Sequence, residues 1–158
     1  MAVLTKKQAE PSAAEPQARY EDDFYSWTQE QGALLRAGRL DKLDLENLAE
    51  EIESLGRNEF DKLVSFYRLV LLNMLKWEHQ PNLRSRSWAA SIDIHRVHAQ
   101  EVLDDNPGLK SRVDEALSRA YRGATLEAIR QTGLRKSTFP ETCPFTREEM
   151  LTRPYDLD

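Results

Sequence analysis

Apolar residues recur at helical spacing along most of this chain, and nowhere do apolar and polar positions alternate with period two over a useful length. The strongest run is Leu45, Leu48, Ala49, Ile52, Leu55, Leu63, Phe66, Tyr67, Val70, Met74 and Trp77, which holds one phase at about 100° per residue. It predicts a helix opening after Asp44 and continuing to about Glu78, with Pro81 stopping it shortly afterwards. Unbroken, such a helix is roughly 50 Å long at about 1.5 Å per residue, the central rod of its domain. Its first half is amphipathic, whereas Leu69 to Leu75 is apolar on almost every side and calls for neighbours on several faces. Gly56 and Glu59 interrupt the stripe: the glycine invites a kink or a close crossing, and Glu59 requires a partner or an exit to water.

Shorter patterns flank the rod. Asp22 or Asp23 is placed to cap a first helix whose expected apolar face is Phe24, Trp27, Leu34 and Leu35, with Gly38 as its C′ residue. A third helix from about Ser87 to Asp104 sets Trp88, Ile92, His95, Ala99, Val102 and Leu103 on one face and points Ile94 and Val97 elsewhere. Asn106 is expected to cap a fourth, with Pro107 at its first position, a small-residue stripe of Val113, Ala116, Leu117, Ala120 and Ala124, and Gly133 at its end. Thr146 with Glu149 spells a capping box for one short helix near the C-terminus. The expected fold is all-α, a helical bundle of four main helices with one long central helix and a short C-terminal helix.

Composition narrows this picture. A chain of 158 residues with 40% hydrophobic content suits a single helical-bundle domain, placed at 20–158. Residues 1–19 are rich in Ala, Pro, Gln and Glu and read as a disordered tail without the apolar core of a secretory signal. The net charge of −5 gives no global drive toward nucleic acid or an anionic membrane, so any nucleic-acid site has to be local. No apolar run approaches the about 20 residues that span a bilayer. A lone Cys143 fits a reducing compartment, and the cytoplasm is the expected location.

Four strings now bear on one another: YEDDFYSWTQEQGALLRAG, LDLENLAEEIESLGR, LLNMLKWEHQPNLRSRSW and STFPETCPF. In this order, from about Tyr20 to the C-terminus, they resemble the bacterial domain of unknown function 29 family. The resemblance implies a small helical bacterial domain and brings no established activity with it.

Chemistry is sparse. Glu46 and Glu50 stand at i,i+4 beside Glu51 and Glu53 and repel unless a cation, such as a divalent metal with oxygen ligands, lies between them. The ordinary outcome is a solvated face near a helix start. His95 and His98, three apart on a helix, form a second metal candidate with His79 or a glutamate such as Glu50 as third ligand. A packed His95, facing Glu59, is the competing reading. The link between the second and third helices carries Arg84 and Arg86 just before Trp88, a pattern suited to a phosphate or carboxylate, with Arg96 as a further contributor. The alternative is internal pairing with glutamates of a neighbouring helix. There is no phosphate-cradling GxxxxGK[ST], no dinucleotide GxGxxG and no GxSxG elbow. Cys143 reads as a structural cysteine.

These readings place a non-enzymatic protein-interaction module first, through a protein partner or self-association, with Ile94, Val97 and the flank of Leu69 to Leu75 forming either a second intramolecular contact or a homo-oligomer surface. Anion or nucleic-acid binding at Arg84, Arg86, Trp88 and Arg96 comes second, nucleic acid not being favoured. A metal-dependent hydrolase comes third. No cofactor is expected.

Overall fold

The computed structural model describes residues 18–157, so most of the expected N-terminal tail, residues 1–17, lies outside them. The described residues form five α-helices joined by short 3-10 turns and contain no strand. The chain divides into two compact units, Met1–Glu53 and Ser54–Asp158. Helix α1 (Phe24–Arg36) lies in the first, while α2 (Leu45–His79) begins there and ends in the second. Helices α3 (Arg86–Asp105), α4 (Val113–Thr132) and α5 (Arg147–Thr152) belong to the second.

In the first unit, Asp23 caps α1 by accepting from the Ser26 amide at 2.9 Å. At the other end Gly38 takes the left-handed conformation at φ 69°, and Gly38 N to Leu35 O (3.1 Å) with Arg39 N to Leu34 O (3.0 Å) closes a Schellman turn. The buried face of α1 differs from the expected one. Trp27 is buried together with Gln31, whereas Phe24 and Leu35 are about half exposed. Polar groups decide this: the Trp27 indole Nε1 donates to Asp44 Oδ2 at 3.1 Å, and Gln31 Oε1 accepts from the Asp44 amide at 2.9 Å. Trp27 and Gln31 are four residues apart, so one ridge of α1 holds the residue that starts α2. Asp44 in turn accepts from the Asn47 side chain at 2.7 Å, and that bond, with help from the Asn47 amide and Trp27, holds its carboxyl below the usual aspartate range.

In the second unit, α2 remains helical through Gly56, where an added Cβ would meet nothing. Phe60, Leu63, Tyr67, Val70 to Leu75 and Trp77 are buried, so the end that is apolar on every side is covered as its sequence requires. Asn73 is tolerated there because its Nδ2 donates to Leu69 O at 2.9 Å and to Ser91 Oγ at 3.0 Å. Contacts run in opposite senses along α2 and α3 (Asn73 with Ser91, Phe66 with His95 and His98, Glu59 with Asn106), so the two are antiparallel. They run in the same sense along α2 and α4 (Asp61 with Arg119, Arg68 with Glu127, Lys76 with Gln131), so these two are parallel. The fully buried alanines 116, 120, 124 and 128 give α4 its narrow inner face.

Two local details depart from the sequence reading. Pro107 opens a 3-10 turn (Pro107–Arg112) rather than α4 itself, which starts at Val113. Asn106 makes no side-chain cap there; its Nδ2 donates back to Val102 O at 3.0 Å and toward Glu59 Oε2 at 3.4 Å. Glu59 therefore finds its partners in Asn106 and in Lys62 Nζ at 2.6 Å. The capping box at α5 is complete, Thr146 Oγ1 accepting from the Glu149 amide and Glu149 Oε2 from the Thr146 amide.

Candidate functional site

The arginine link follows the end of α2 through a 3-10 turn (Pro81–Leu83), and Ser85 caps α3 by accepting from the Trp88 amide at 3.3 Å. Arg84 is exposed but folds back on α2: its Nε donates to Trp77 O at 2.9 Å, and its guanidinium lies 5.2 Å from the Trp77 ring centroid. One C-terminal carbonyl of α2 is thereby satisfied by a cation, a favourable end for the helix dipole. Arg86 is exposed, with no hydrogen bond or ion pair among the described residues. Trp88 is half-buried with Lys76 Nζ 4.4 Å from its ring centroid. Neither arginine meets a glutamate: Arg84 is engaged by a carbonyl and a ring, and Arg86 has no internal partner among the described residues.

Arg96 is not part of this link. Its side chain is 12% exposed and binds the carbonyls at the end of the chain: Met150 at 2.8 Å, Arg153 at 2.8 Å and Glu149 at 3.0 Å. Burial pushes its guanidinium down from the usual arginine value. Its task on this geometry is to seat α5 on α3.

The histidines are placed by packing. His95 Nδ1 lies 2.6 Å from Ser91 O and 3.2 Å from Ser91 Oγ, and both His95 and His98 lie against the Phe66 ring. The expected facing of His95 and Glu59 is absent; Ser91, one turn earlier on α3, is the partner. His79 packs edge-on against Phe139. Among the described residues no three His, Cys, Asp or Glu side chains converge as a metal set. Within the acidic group, Glu51 accepts a hydrogen bond from the Tyr20 hydroxyl, which pushes that phenol up to about 12. Glu46 and Glu50 are exposed at the surface. Cys143 donates weakly to Phe145 O at 3.6 Å, and burial pushes its thiol up, the opposite of an activated nucleophile.

The exposed apolar surface extends beyond the residues singled out in the sequence. The flank of Leu69 to Leu75 is covered, while Ile94 and Val97 are exposed as expected. The larger exposure is among the described residues of the first unit, 18–53, where Phe24, Tyr25, Leu35, Leu40, Leu45 and Ile52 are all exposed and Trp27 is the only large apolar side chain fully buried. On α2, Leu45 is 65% and Ile52 66% exposed, with exposed Ala49 between them at helical spacing. The signal was present, since Leu45, Ala49 and Ile52 lie among Glu46, Glu50 and Glu53, but an apolar stripe does not declare whether its own chain covers it.

Residues 19–156 match the family model described as Domain of unknown function DUF29. The chain belongs to this family. The four strings quoted above thus identify it correctly, across nearly the whole chain. Among solved structures the chain is similar to an alpha-helical protein of unknown function from Rhodospirillum rubrum, 26% identical over 89% of this chain and 93% of that one, with a TM-score of 0.49. No curated protein matches. No described helix of this DUF29 member is long and apolar enough to cross a membrane.

Proposed function

We propose that this DUF29 domain is a protein-interaction module whose docking surface is the acidic, apolar start of α2. The observation that carries this is the exposed row Leu45, Ala49 and Ile52 in a unit whose described residues bury one large apolar side chain and expose six. An uncovered row of this kind marks an interaction site when a partner of matching chemistry exists.

Charge selects the partner. Residues 18–53 hold ten acidic side chains against four basic ones (Arg19, Arg36, Arg39, Lys42), whereas 54–158 hold fifteen against sixteen, so the acidity of the chain is concentrated in the first unit. A second copy packed antiparallel about Ala49 would set Glu50 near Glu50 and Glu46 near Glu53, like charges across a short distance. A helix with an apolar stripe flanked by lysine or arginine meets the same face with opposite charge at every step, the helix-in-groove mode of recognition. We therefore take the partner to be a basic amphipathic helix of another protein.

The test is titration calorimetry with two designed helical peptides that share a leucine stripe, one flanked by lysine and one by glutamate. Binding of the lysine peptide should be saturable, weaken with added salt, and fall at least about tenfold in the double variant Leu45→Ser/Ile52→Ser while its melting temperature stays near wild type. Equal binding of both peptides, or no change in the double variant, rejects the surface. A stable dimer of the free protein that the double variant breaks would assign the face to self-association instead.

A further inference from the structure

The second unit contains a cavity of about 540 Å³ whose charged lining is entirely cationic. Tyr67 of α2 and Arg96 of α3 form its inner wall, Lys110 of the 3-10 turn and Arg147 of α5 its outer one, and Leu103 and Leu151 supply apolar surface. No acidic residue lines it. Three carboxylates bond to lining side chains: Asp93 to Arg96 at 3.6 Å, Asp104 to Gln100 at 2.8 Å, and the exposed Asp114 to Arg147 at 3.2 Å.

Tyr67 makes this more than a charged hollow. The residue is 2% exposed, and its hydroxyl, which no described residue hydrogen-bonds, is reached from this cavity. The oxygen is not sealed in the core as that of Tyr155 is, and a hydroxyl that opens on a cavity without a protein acceptor bonds to whatever enters. The field of Arg147 reaches this phenol, acting against the rise that burial causes, so the two groups serve one space. Arg96 is fixed by its three carbonyls and contributes a positive charge that cannot turn away. Lys110 is exposed and unpaired among the described residues.

We propose that this cavity binds a small amphiphilic anion, its carboxylate or phosphate head held by Tyr67, Lys110 and Arg147 and its short apolar body packed on Leu103 and Leu151. A hydroxyl donor and two cations match an anionic oxygen, while the walls match hydrocarbon, and the volume falls in the range of about 300–1,000 Å³ usual for small-molecule sites. The site is independent of the docking face in the first unit.

Titration calorimetry on the full chain with octanoate, octyl phosphate, octanol and inorganic phosphate tests it. At least one octyl anion should bind with a Kd below about 1 mM and at least about tenfold tighter than both octanol and inorganic phosphate. Octanoate ahead of octyl phosphate points to a carboxylate ligand, and the reverse to a phosphate. Octanol binding equally well would leave only an apolar hollow, inorganic phosphate equally well only surface charge, and either result overturns the proposal, as does the absence of saturable binding. Tyr67→Phe removes a hydroxyl that bonds to no protein group, so ligand-free melting should hold or rise while affinity falls about tenfold. Lys110→Ala, at an exposed and unpaired position, should fold as wild type and weaken binding at least about threefold. Unchanged affinity in both variants contradicts the assignment.

Discussion

At the scale of single residues, burial and partnership separate side chains that look alike in the sequence. Arg84, Arg86 and Arg96 resemble one basic group, yet one caps a helix end, one faces water and one anchors the C-terminal segment. Removing the anchor, Arg96→Ala, strips three carbonyls of a charged donor and should cost about 2–3 kcal/mol in urea unfolding. Arg86→Ala should cost under about 0.5 kcal/mol, as an exposed unpaired side chain does. Tyr155 supplies a pH test. Its hydroxyl is buried without a hydrogen bond, and burial, aided by Glu78 against the pull of Arg153 and Arg96, pushes it up to about 12. A phenol whose folded pKa is raised contributes stability that is complete below its ordinary value near 10 and is lost as pH rises toward 12. Melting temperature should fall across that window and fall less steeply in Tyr155→Phe, with Tyr20, also raised to about 12, accounting for part of the remainder. None of these roles was legible from residue type, because arginine suits a carbonyl, a ring or an anion equally well.

At the scale of elements, the helices follow the apolar period closely, and their ends follow residues that hydrogen-bond. Period and breakers placed α2 within a residue of its observed limits and gave the stop at Gly133 and the capping box of α5. What period does not carry is which ridge turns inward when a polar contact competes. On α1, Phe24 and Leu35 were expected inside, but the ridge that bonds to Asp44 is the one bearing Trp27 and Gln31. The start of α2 accordingly depends on a polar cap. Lowering pH through the depressed range of the Asp44 carboxyl should loosen that start, because a carboxylate favoured by folding contributes stability above its ordinary value of 3.8 and loses it as pH falls. Amide exchange at residues 45–48 should rise in acid ahead of exchange in Leu71 to Leu75. The cap of α3 is simpler, and Ser85→Ala should cost about 1 kcal/mol.

At the scale of the whole molecule, the sequence conveyed the all-α class and family membership, but its net charge of −5 hid an uneven distribution between the two units. Charge totals average away that contrast, and an apolar period alone cannot say that Leu45 and Ile52 stay uncovered. Residues 18–53 bury one large apolar side chain, too little to fold by themselves, so a fragment of these residues should show little helix by circular dichroism. The whole of 20–158 is accordingly proposed to unfold as one domain. The most direct measurement of the docking proposal is amide hydrogen exchange on the full protein with and without the lysine-flanked leucine peptide. Protection should appear at Leu45 to Glu53 and leave the Arg84–Trp88 link unchanged. Protection confined to that link, or to residues of the second unit, would contradict it.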